Sequence, residues 1–229
     1  MTAAATGVWA VLVAAGRGER FGGDRPKAFA NLGGRPLLAE SLERLDGSDW
    51  VEGIVVAAPA EWEEPSILLA EELGAASVRA VVTGGATRTG SVRAAAAEVP
   101  PEAAVVLVHD AARPLLPPEV VERVLAGLAD GWDGAVAALP LADTVKLADG
   151  EAVRETVDRT GLYGAQTPQA FPAETLRSAL AGGAEATDCA GLVEAAGGRV
   201  RLVEGDRRLL KVTTPADLAL VQAFLEAER

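Results

Sequence analysis

Short apolar runs alternate along most of the chain with longer segments whose apolar positions recur at helical spacing. This alternation is typical of βαβ units and a parallel sheet. The predicted strands are residues 8–13, 51–57, 80–82, 104–108, 135–139 and 200–203. The predicted helices are residues 37–45, 65–73, about 89–98, a segment opening at Pro117-Pro118, 173–180, 188–196 and a last one from Pro215. We therefore expect an α/β fold, with a Rossmann-like, mostly parallel sheet flanked by helices.

The alternation changes after residue 140. Segments 143–146 and 152–157 flank Asp149-Gly150, a dipeptide suited to the tight turn of a β-hairpin. An antiparallel hairpin that interrupts a parallel sheet is an insertion, and inserted arms often reach a second subunit. We expect a single domain over residues 1–229, with a hairpin arm over roughly residues 141–171.

The charge balance limits which classes of partner the protein can bind. The formal net charge is −12, from 21 basic and 33 acidic residues. An acidic surface argues against nucleic acid or an anionic membrane as a partner, whereas a few local cations still suffice for a small phosphorylated ligand. The only cysteine is Cys189, which excludes an intrachain disulfide and a cysteine-rich zinc site. With no signal-peptide pattern and no apolar run of membrane-spanning length, we expect a cytoplasmic protein.

A glycine-rich segment, residues 14–23, follows the first predicted strand. Glycines at such a turn let backbone N–H groups approach phosphate oxygens closely. Phe21 replaces the third glycine of a dinucleotide-binding motif, and Asp24 stands where a Walker A motif has lysine, so both common motifs are excluded. Arg20 and Lys27 would neutralise a triphosphate bound there. The alternative is a solvated surface loop.

The segment Val13-Ala14-Ala15-Gly16-x-Gly18-x-Arg20-Phe21, with Pro26-Lys27, resembles nucleotidyltransferases that activate sugars and polyols. A second segment, Val108-His109-Asp110-Ala111-Ala112-Arg113-Pro114, is similar to the 2-C-methyl-D-erythritol 4-phosphate cytidylyltransferases of the non-mevalonate isoprenoid pathway. The resemblance covers essentially the whole chain and continues through Asp143-Thr144-Val145-Lys146, Asp158-Arg159, Gln166-Thr167-Pro168-Gln169, Thr187-Asp188 and Lys211-Val212-Thr213.

The resemblance implies an enzyme that transfers CMP from CTP to 2-C-methyl-D-erythritol 4-phosphate and releases pyrophosphate, with Mg²⁺ or another divalent cation as cofactor. It also implies a homodimer formed through the hairpin arm. Because the arm crosses the dimer in the resembling enzymes, Thr144 and Arg159 would serve the partner subunit's site. Arg159 should matter most among the substrate ligands, because its planar guanidinium matches a phosphate bidentately.

The same resemblance assigns individual roles. The implied nucleotide-binding residues are Ala14, Ala15, Gly16, Gly18, Gly85, Ser91 and Asp110. The implied catalytic residues are Arg20, Lys27, Arg159 and Lys211. The implied ligands of the polyol phosphate are Arg113, Thr144, Arg159, Thr167 and Thr187. Asp110 is also the implied metal ligand.

Several alternatives stay open at this point. Asp110 could hold Mg²⁺ or grip the ribose hydroxyls, and the sequence does not choose between these roles. The segment around Gly85 and Ser91 could be an ordinary turn from a strand into a helix. His109, the only histidine, is better explained by packing than by proton transfer. A phosphate nucleophile is already ionised near neutral pH and needs no strong base.

Four positions depart from the usual family pattern. Leu209 stands where asparagine is usual, Ala86 and Cys189 where acidic residues are common, and Val13 where proline is frequent. The departures concern hydrogen bonds to the triphosphate and the base. Competing hypotheses are a cytidylyltransferase for ribitol 5-phosphate, a sugar-1-phosphate nucleotidyltransferase that uses another nucleotide, and a non-catalytic nucleotide-binding regulator. The intact cations Arg20, Lys27 and Lys211 argue against the last of these.

Overall fold

The computed structural model of the protein describes residues 7–16 and 25–228. Its strands are β1 (Val8–Val13), β2 (Asn31–Leu32), β3 (Arg35–Pro36), β4 (Val51–Ala58), β5 (Val78–Thr83), β6 (Val105–Asp110), β7 (Gly134–Pro140), β8 (Val145–Asp149), β9 (Ala152–Val157), β10 (Tyr163–Pro172) and β11 (Val200–Glu204). Its α-helices are α1 (Leu37–Asp46), α2 (Glu63–Leu73), α3 (Arg88–Ala96), α4 (Pro118–Ala126), α5 (Ala173–Ala181), α6 (Cys189–Ala195) and α7 (Pro215–Ala227). Among the helices of these residues, none has the length and apolar character needed to cross a membrane.

The main sheet has seven strands in the order β11-β7-β10-β6-β1-β4-β5. Strand β1 pairs in parallel with β4 and β6, and parallel pairing extends to β5 and between β7 and β11. Only β10 runs antiparallel to its neighbours, β6 and β7. The predicted mostly parallel α/β sheet is confirmed.

Helices cover both faces of this sheet, which is why its central strands are apolar on both sides. Along β1 the side chains alternate, so that Ala10 and Leu12 belong to one buried cluster and Val11 to the other. The first cluster packs against α1, α2 and α4, and the second against α3, α5 and α6. Helix α7 closes a smaller cluster with Leu32, Leu37 and Leu115. This three-layer packing fixes the strand ends from which the site is built.

The strands differ from the sequence-based expectation at β10 and at the end of β6. The hairpin of β8 and β9 is present as a separate two-stranded sheet, and Gly150 at its turn has the left-handed φ of 57° that such a turn favours. Strand β10 was not predicted, and the predicted arm range, 141–171, includes most of it although β10 lies inside the main sheet. The predicted strand 104–108 stops before His109 and Asp110, whereas these are the last two residues of β6.

Candidate active site

A cleft with a cavity volume of about 1240 Å³ opens where β1, β4, β5 and β6 end. Ligands of open α/β sheets gather at the carboxyl ends of the strands. The predicted site residues that line the cleft are Ala14, Ala15, Gly16, Lys27, Gly85, Ser91, Asp110 and Lys211. The structure thus brings residues from distant parts of the sequence together in one place.

The other predicted site residues do not line this cleft within the described part of the chain: Arg113, Thr144, Arg159, Thr167 and Thr187. Thr144 and Arg159 are exposed on either side of the β8–β9 hairpin, and Thr187 is exposed just before α6. Thr167 is buried in β10, and Arg113 is half-buried just after β6. Two further predicted residues lie outside the described residues: Gly18 and Arg20.

Asp110 lies at the centre of the cleft's polar side chains. It ends β6 opposite Val13, the last residue of β1, and its side chain is only 8% exposed. Arg88 donates to its Oδ1 from Nε at 3.1 Å and from Nη2 at 2.9 Å. Lys211 donates from Nζ to its Oδ2 at 2.7 Å. One carboxylate therefore connects the start of α3 to the segment that precedes α7.

This cluster carries a local positive excess. Burial alone would raise the pKa of Asp110, but the positive charges of Arg88 and Lys211 lower that pKa well below its ordinary value. Asp110 in turn raises the pKa of Arg88, although burial of the guanidinium opposes this. Asp110 and Arg88 are therefore both ionised at neutral pH. Two cations against one carboxylate suit a polyphosphate, in a chain whose formal net charge is −12.

A buried hydrogen-bond chain fixes the backbone of Asp110. Its N–H donates to Oγ1 of Thr167 at 3.0 Å, and that hydroxyl lies 3.2 Å from Nδ1 of His109. Nε2 of His109 lies 3.0 Å from the carbonyl oxygen of Arg113. A carbonyl only accepts, so Nε2 carries the proton and Nδ1 accepts from the threonine hydroxyl. Burial is the main cause that lowers the pKa of His109 to about 4, so the imidazole is neutral.

Arg113 connects β10 to the segment before Lys211. Its Nη1 donates to the carbonyl oxygen of Leu209 at 2.6 Å, and its Nη2 to that of Ala165 at 3.4 Å. Its buried Nε has no hydrogen-bond partner among the described residues. The side chain of Leu209 is fully buried in the core. At this departure from the family pattern, the backbone carbonyl thus contacts Arg113 while the side chain packs inward.

The turn from β5 into α3 requires glycine. A Cβ on Gly84 would overlap the side chain of Ala15, and a Cβ on Gly85 would lie 2.7 Å from the backbone carbon of Gly90. Ser91 Oγ donates to the carbonyl oxygen of Thr87 at 2.9 Å, and Thr87 Oγ1 caps α3 by accepting from the N–H of Gly90. The turn therefore packs tightly against the glycine-rich strand end and presents backbone groups to the cleft.

Lys27 stands on a 3₁₀ turn, Lys27–Phe29, and lines the same cleft. The ring of Phe29 packs against that of Trp62 with a centroid separation of 4.3 Å and an interplanar angle of 46°. Trp62 precedes α2 and itself lines the cleft. This contact ties the Lys27 turn to the loop that follows β4.

Comparison with known proteins identifies the family. Residues 8–227 match the family model of 2-C-methyl-D-erythritol 4-phosphate cytidylyltransferase. A relative of that description from Nocardia farcinica (strain IFM 10152) is 46% identical over 220 residues, covering 96% of this chain and 94% of the relative. The chain belongs to the 2-C-methyl-D-erythritol 4-phosphate cytidylyltransferase family.

Solved structures agree with this assignment. The crystal structure of a 4-diphosphocytidyl-2C-methyl-D-erythritol synthase superposes with a TM-score of 0.82 at 34% identity, covering 96% of this chain and 98% of the other. That of the cytidylyltransferase from Thermus thermophilus gives 0.77 at 37% identity, covering 94% and 98%. The predicted family and enzyme class are confirmed, whereas the roles of individual residues stay predictions.

The residues that line the cleft of this cytidylyltransferase without a role assigned from the sequence include Arg88 and Trp62. Arg88 lies between Gly85 and Ser91, so its position beside a predicted nucleotide-binding turn was the available signal. Its bond to Asp110 joins two strand ends and was not visible in the spacing. Trp62 lies after a predicted strand, and no motif marked it.

The available ligand side chains determine how the implied metal ion could be held. Among residues 7–16 and 25–228, no group of three or more His, Cys, Asp or Glu side chains is arranged to hold a metal ion. Mg²⁺ is usually bound through one or two carboxylates together with substrate phosphates rather than by an all-protein cage. The ionised Asp110 in the cleft is compatible with that mode, in which CTP and water would supply the remaining ligands.

Proposed function

We propose that this cytidylyltransferase transfers CMP from CTP to the phosphate of 2-C-methyl-D-erythritol 4-phosphate in the cleft at the ends of β1, β4, β5 and β6. The observation that carries the proposal is the convergence of Asp110, Lys27 and Lys211 on one cleft walled by glycine turns. An oxygen of the polyol phosphate forms the new bond to the α-phosphorus of CTP. The bond from that phosphorus to the β-phosphate bridging oxygen breaks, and pyrophosphate leaves.

The triphosphate would lie along the end of β1, where Ala14, Ala15 and Gly16 line the cleft. Lys27 and Lys211 stand on the cleft walls and would neutralise the charge that builds around the α-phosphorus in the transition state. Arg20 would add a third cation. Because two anions must be brought together, positioning and charge neutralisation supply most of the rate enhancement.

The cytosine base would lie against the β5–α3 turn. Gly85 and Ser91 line the cleft there, and the close packing of Gly84 on Ala15 leaves no room for a side chain. The hydroxyl of Ser91 already donates within the turn, so its oxygen is the atom that faces the base as an acceptor. Backbone groups and one hydroxyl can distinguish cytosine from uracil by their opposite hydrogen-bonding edges.

Asp110 would bind CTP, either through its ribose hydroxyls or through Mg²⁺. If Mg²⁺ binds, Asp110 would hold it together with phosphate oxygens of CTP, and the ion would add positive charge beside the transferring phosphorus. His109 takes no proton in this scheme. It is neutral, fully buried and hydrogen-bonded at both ring nitrogens, and the phosphate nucleophile is already ionised.

The acceptor site would be completed by a second copy of the chain. Thr144 and Arg159 flank the β8–β9 hairpin and do not line the cleft of their own chain. The hairpin and its flanks expose large apolar side chains that a partner would cover: Leu141, Leu147, Val153, Leu162 and Tyr163. In a homodimer that packs through this arm, Arg159 would bind the polyol phosphate bidentately. Arg113, Thr167 and Thr187 would position or contact the acceptor.

Pyrophosphate release from CTP with Mg²⁺ tests the proposal. We expect release that depends on 2-C-methyl-D-erythritol 4-phosphate, fails with ribitol 5-phosphate, and falls strongly when UTP replaces CTP. Release with ribitol 5-phosphate alone would keep the mechanism and refute the substrate. CTP binding without release under any of these conditions would refute the enzymatic role. Sedimentation should show a dimer, and a monomer at micromolar concentration would contradict the shared site.

A further inference from the structure

We propose that Arg88 is a positioning residue for cytidylyl transfer, which keeps Asp110 paired and oriented so that Lys211 can leave it for the phosphates of CTP. The inference rests on the proposed function of the cleft. Arg88 itself need not touch the reacting phosphorus, since it acts through the carboxylate that it binds. None of the motif-based roles given above includes this residue.

The guanidinium of Arg88 is held on two sides. Its Nε and Nη2 both donate to Oδ1 of Asp110, at 3.1 and 2.9 Å, while Nη1 donates to Sγ of Cys189 at 3.5 Å. Arg88 begins α3 and Cys189 begins α6, so two separate helices fix its plane. The guanidinium is rigid and planar, and three engaged nitrogens leave it one orientation.

The Cys189 end of this contact is itself rigid. Cys189 is fully buried, and its N–H donates to Oε1 of Gln169 at 3.1 Å, which also accepts from the N–H of Ala190 at 3.2 Å. The side chain of Asp188 accepts from the amide of Gln169 at 2.9 Å and caps α6. The thiol therefore marks a fixed point, from which Arg88 reaches across to Asp110.

Asp110 is consequently fixed at its backbone and at Oδ1, and only Oδ2 faces Lys211. Its N–H is bonded to Thr167, and Oδ1 takes both bonds from Arg88. Lys211 holds Oδ2 at 2.7 Å with a side chain that is 40% exposed, against 20% for Arg88. The more exposed of the two cations is thus the one free to exchange its partner.

Cytidylyl transfer requires Lys211 to exchange Asp110 for a phosphate of CTP. For Lys211 to neutralise a phosphate it must loosen its bond to Oδ2, and a buried carboxylate left without a cation is strongly unfavourable. Because Arg88 stays on Oδ1, Asp110 remains paired when Lys211 moves. Without Arg88, Lys211 would be the cation hydrogen-bonded to Asp110 among the described contacts, with Arg113 acting on the carboxylate only through its charge, and the carboxylate would be free to turn. CTP would then have to compete with Asp110 for the lysine.

The test compares Arg88→Met and Arg88→Lys with Arg93→Met, an exposed arginine on the same helix that bonds the carbonyl oxygen of Leu180 rather than a cleft residue. We expect Arg88→Met to lower kcat/KM for CTP by about tenfold to a hundredfold, the scale of a misplaced catalytic group. The KM for the polyol phosphate should change by less than about threefold. Arg88→Lys should recover part of the loss, and Arg93→Met should match the wild type.

A double-mutant cycle separates positioning from a structural defect. If Arg88 acts through Asp110, then Arg88→Met combined with Asp110→Asn should be no more than about threefold less active than Asp110→Asn alone. Independent effects that multiply would overturn the proposal, as would an unchanged kcat/KM in Arg88→Met. If Arg88→Met does not fold, Arg88→Lys carries the same cycle. Wild-type enzyme without turnover would instead refute the proposed function, and calorimetric CTP affinity of the same variants would still test Arg88.

Discussion

The pH dependence of stability follows from the burial of His109, the residue before the central carboxylate. The side chain is fully buried, and burial lowers its pKa from 6.5 to about 4. The unfolded chain binds a proton near pH 6.5, whereas the folded chain resists it until about pH 4. The stabilisation by neutral His109 is therefore complete above pH 6.5 and is lost as the pH falls toward about 4.

The size of the effect on stability is set by the difference between the unfolded and folded pKa values of His109. At about 1.4 kcal/mol for each pH unit, the lowering from 6.5 to about 4 corresponds to roughly 3 kcal/mol of unfolding free energy. That is a large fraction of the stability of an ordinary domain. Its source is the buried chain from Asp110 through Thr167 and His109 to the carbonyl of Arg113, which accommodates only the neutral imidazole.

Urea unfolding of the ligand-free protein at a series of pH values measures this effect. The carboxylates also titrate in acid, so the control is His109→Gln, which leaves them in place and removes the imidazole. The unfolding free energy of the wild type should fall more steeply than that of the variant between pH 6.5 and 4.5. Because the chain has one histidine, its imidazole NMR resonance can be followed without overlap. A native-state imidazole that titrates near 6.5, or identical slopes for both proteins, would show that burial does not keep His109 neutral.

The remaining predictions concern the cleft and one helix cap. Lys27→Ala should lower kcat by about two orders of magnitude or more, the scale of losing one preorganised donor, and a near-normal kcat would remove Lys27 from the mechanism. Gly85→Ala should raise the KM for CTP and lower the melting temperature because its Cβ would lie 2.7 Å from Gly90, whereas Gly164→Ala, with no contact nearer than 3.6 Å, should be tolerated. Thr214→Ala should cost α7 about 1 kcal/mol in chemical unfolding, since Thr214 accepts from the N–H of Asp217 in a capping box, and no loss would contradict that cap.

Most helices and parallel strands could be predicted because periodicity and apolar runs are local properties of the sequence. The predicted strand 8–13 agrees with β1 residue for residue, and the helix opening at Pro215 is confirmed. The hairpin turn at Asp149-Gly150 was likewise visible, because the left-handed φ of Gly150 has a known residue preference. These are elements whose own residues carry the signal.

Strand β10 could not be predicted for a reason that the sheet makes clear. It contains Pro168, which cannot donate to a ladder and normally argues against a central strand. Here the proline falls in the irregular stretch between Ala165 and Gln169, where pairing with β7 shifts register. The strand exists because β6 and β7 both pair with it, and that is a property of the assembled sheet rather than of residues 163–172.

The candidate site likewise has residues that the sequence could predict and contacts that it could not. Motifs indicated Asp110, Lys27 and Lys211, and the structure places all three in the cleft wall. Their pairing, and the bond from Arg88 to Asp110, depend on strand ends that only the folded sheet brings together. Motifs indicate candidate side chains, whereas the contacts among them follow from topology.

The most direct test of cytidylyl transfer follows the phosphorus atoms of CTP during one reaction. The purified enzyme would receive CTP labelled with ³²P at the α-phosphorus, Mg²⁺ and 2-C-methyl-D-erythritol 4-phosphate. We expect the label to appear in a product joined to the polyol phosphate, with one unlabelled pyrophosphate released for each product formed. Label that remains in CTP, or appears as free CMP whether or not the polyol phosphate is present, would contradict that expectation.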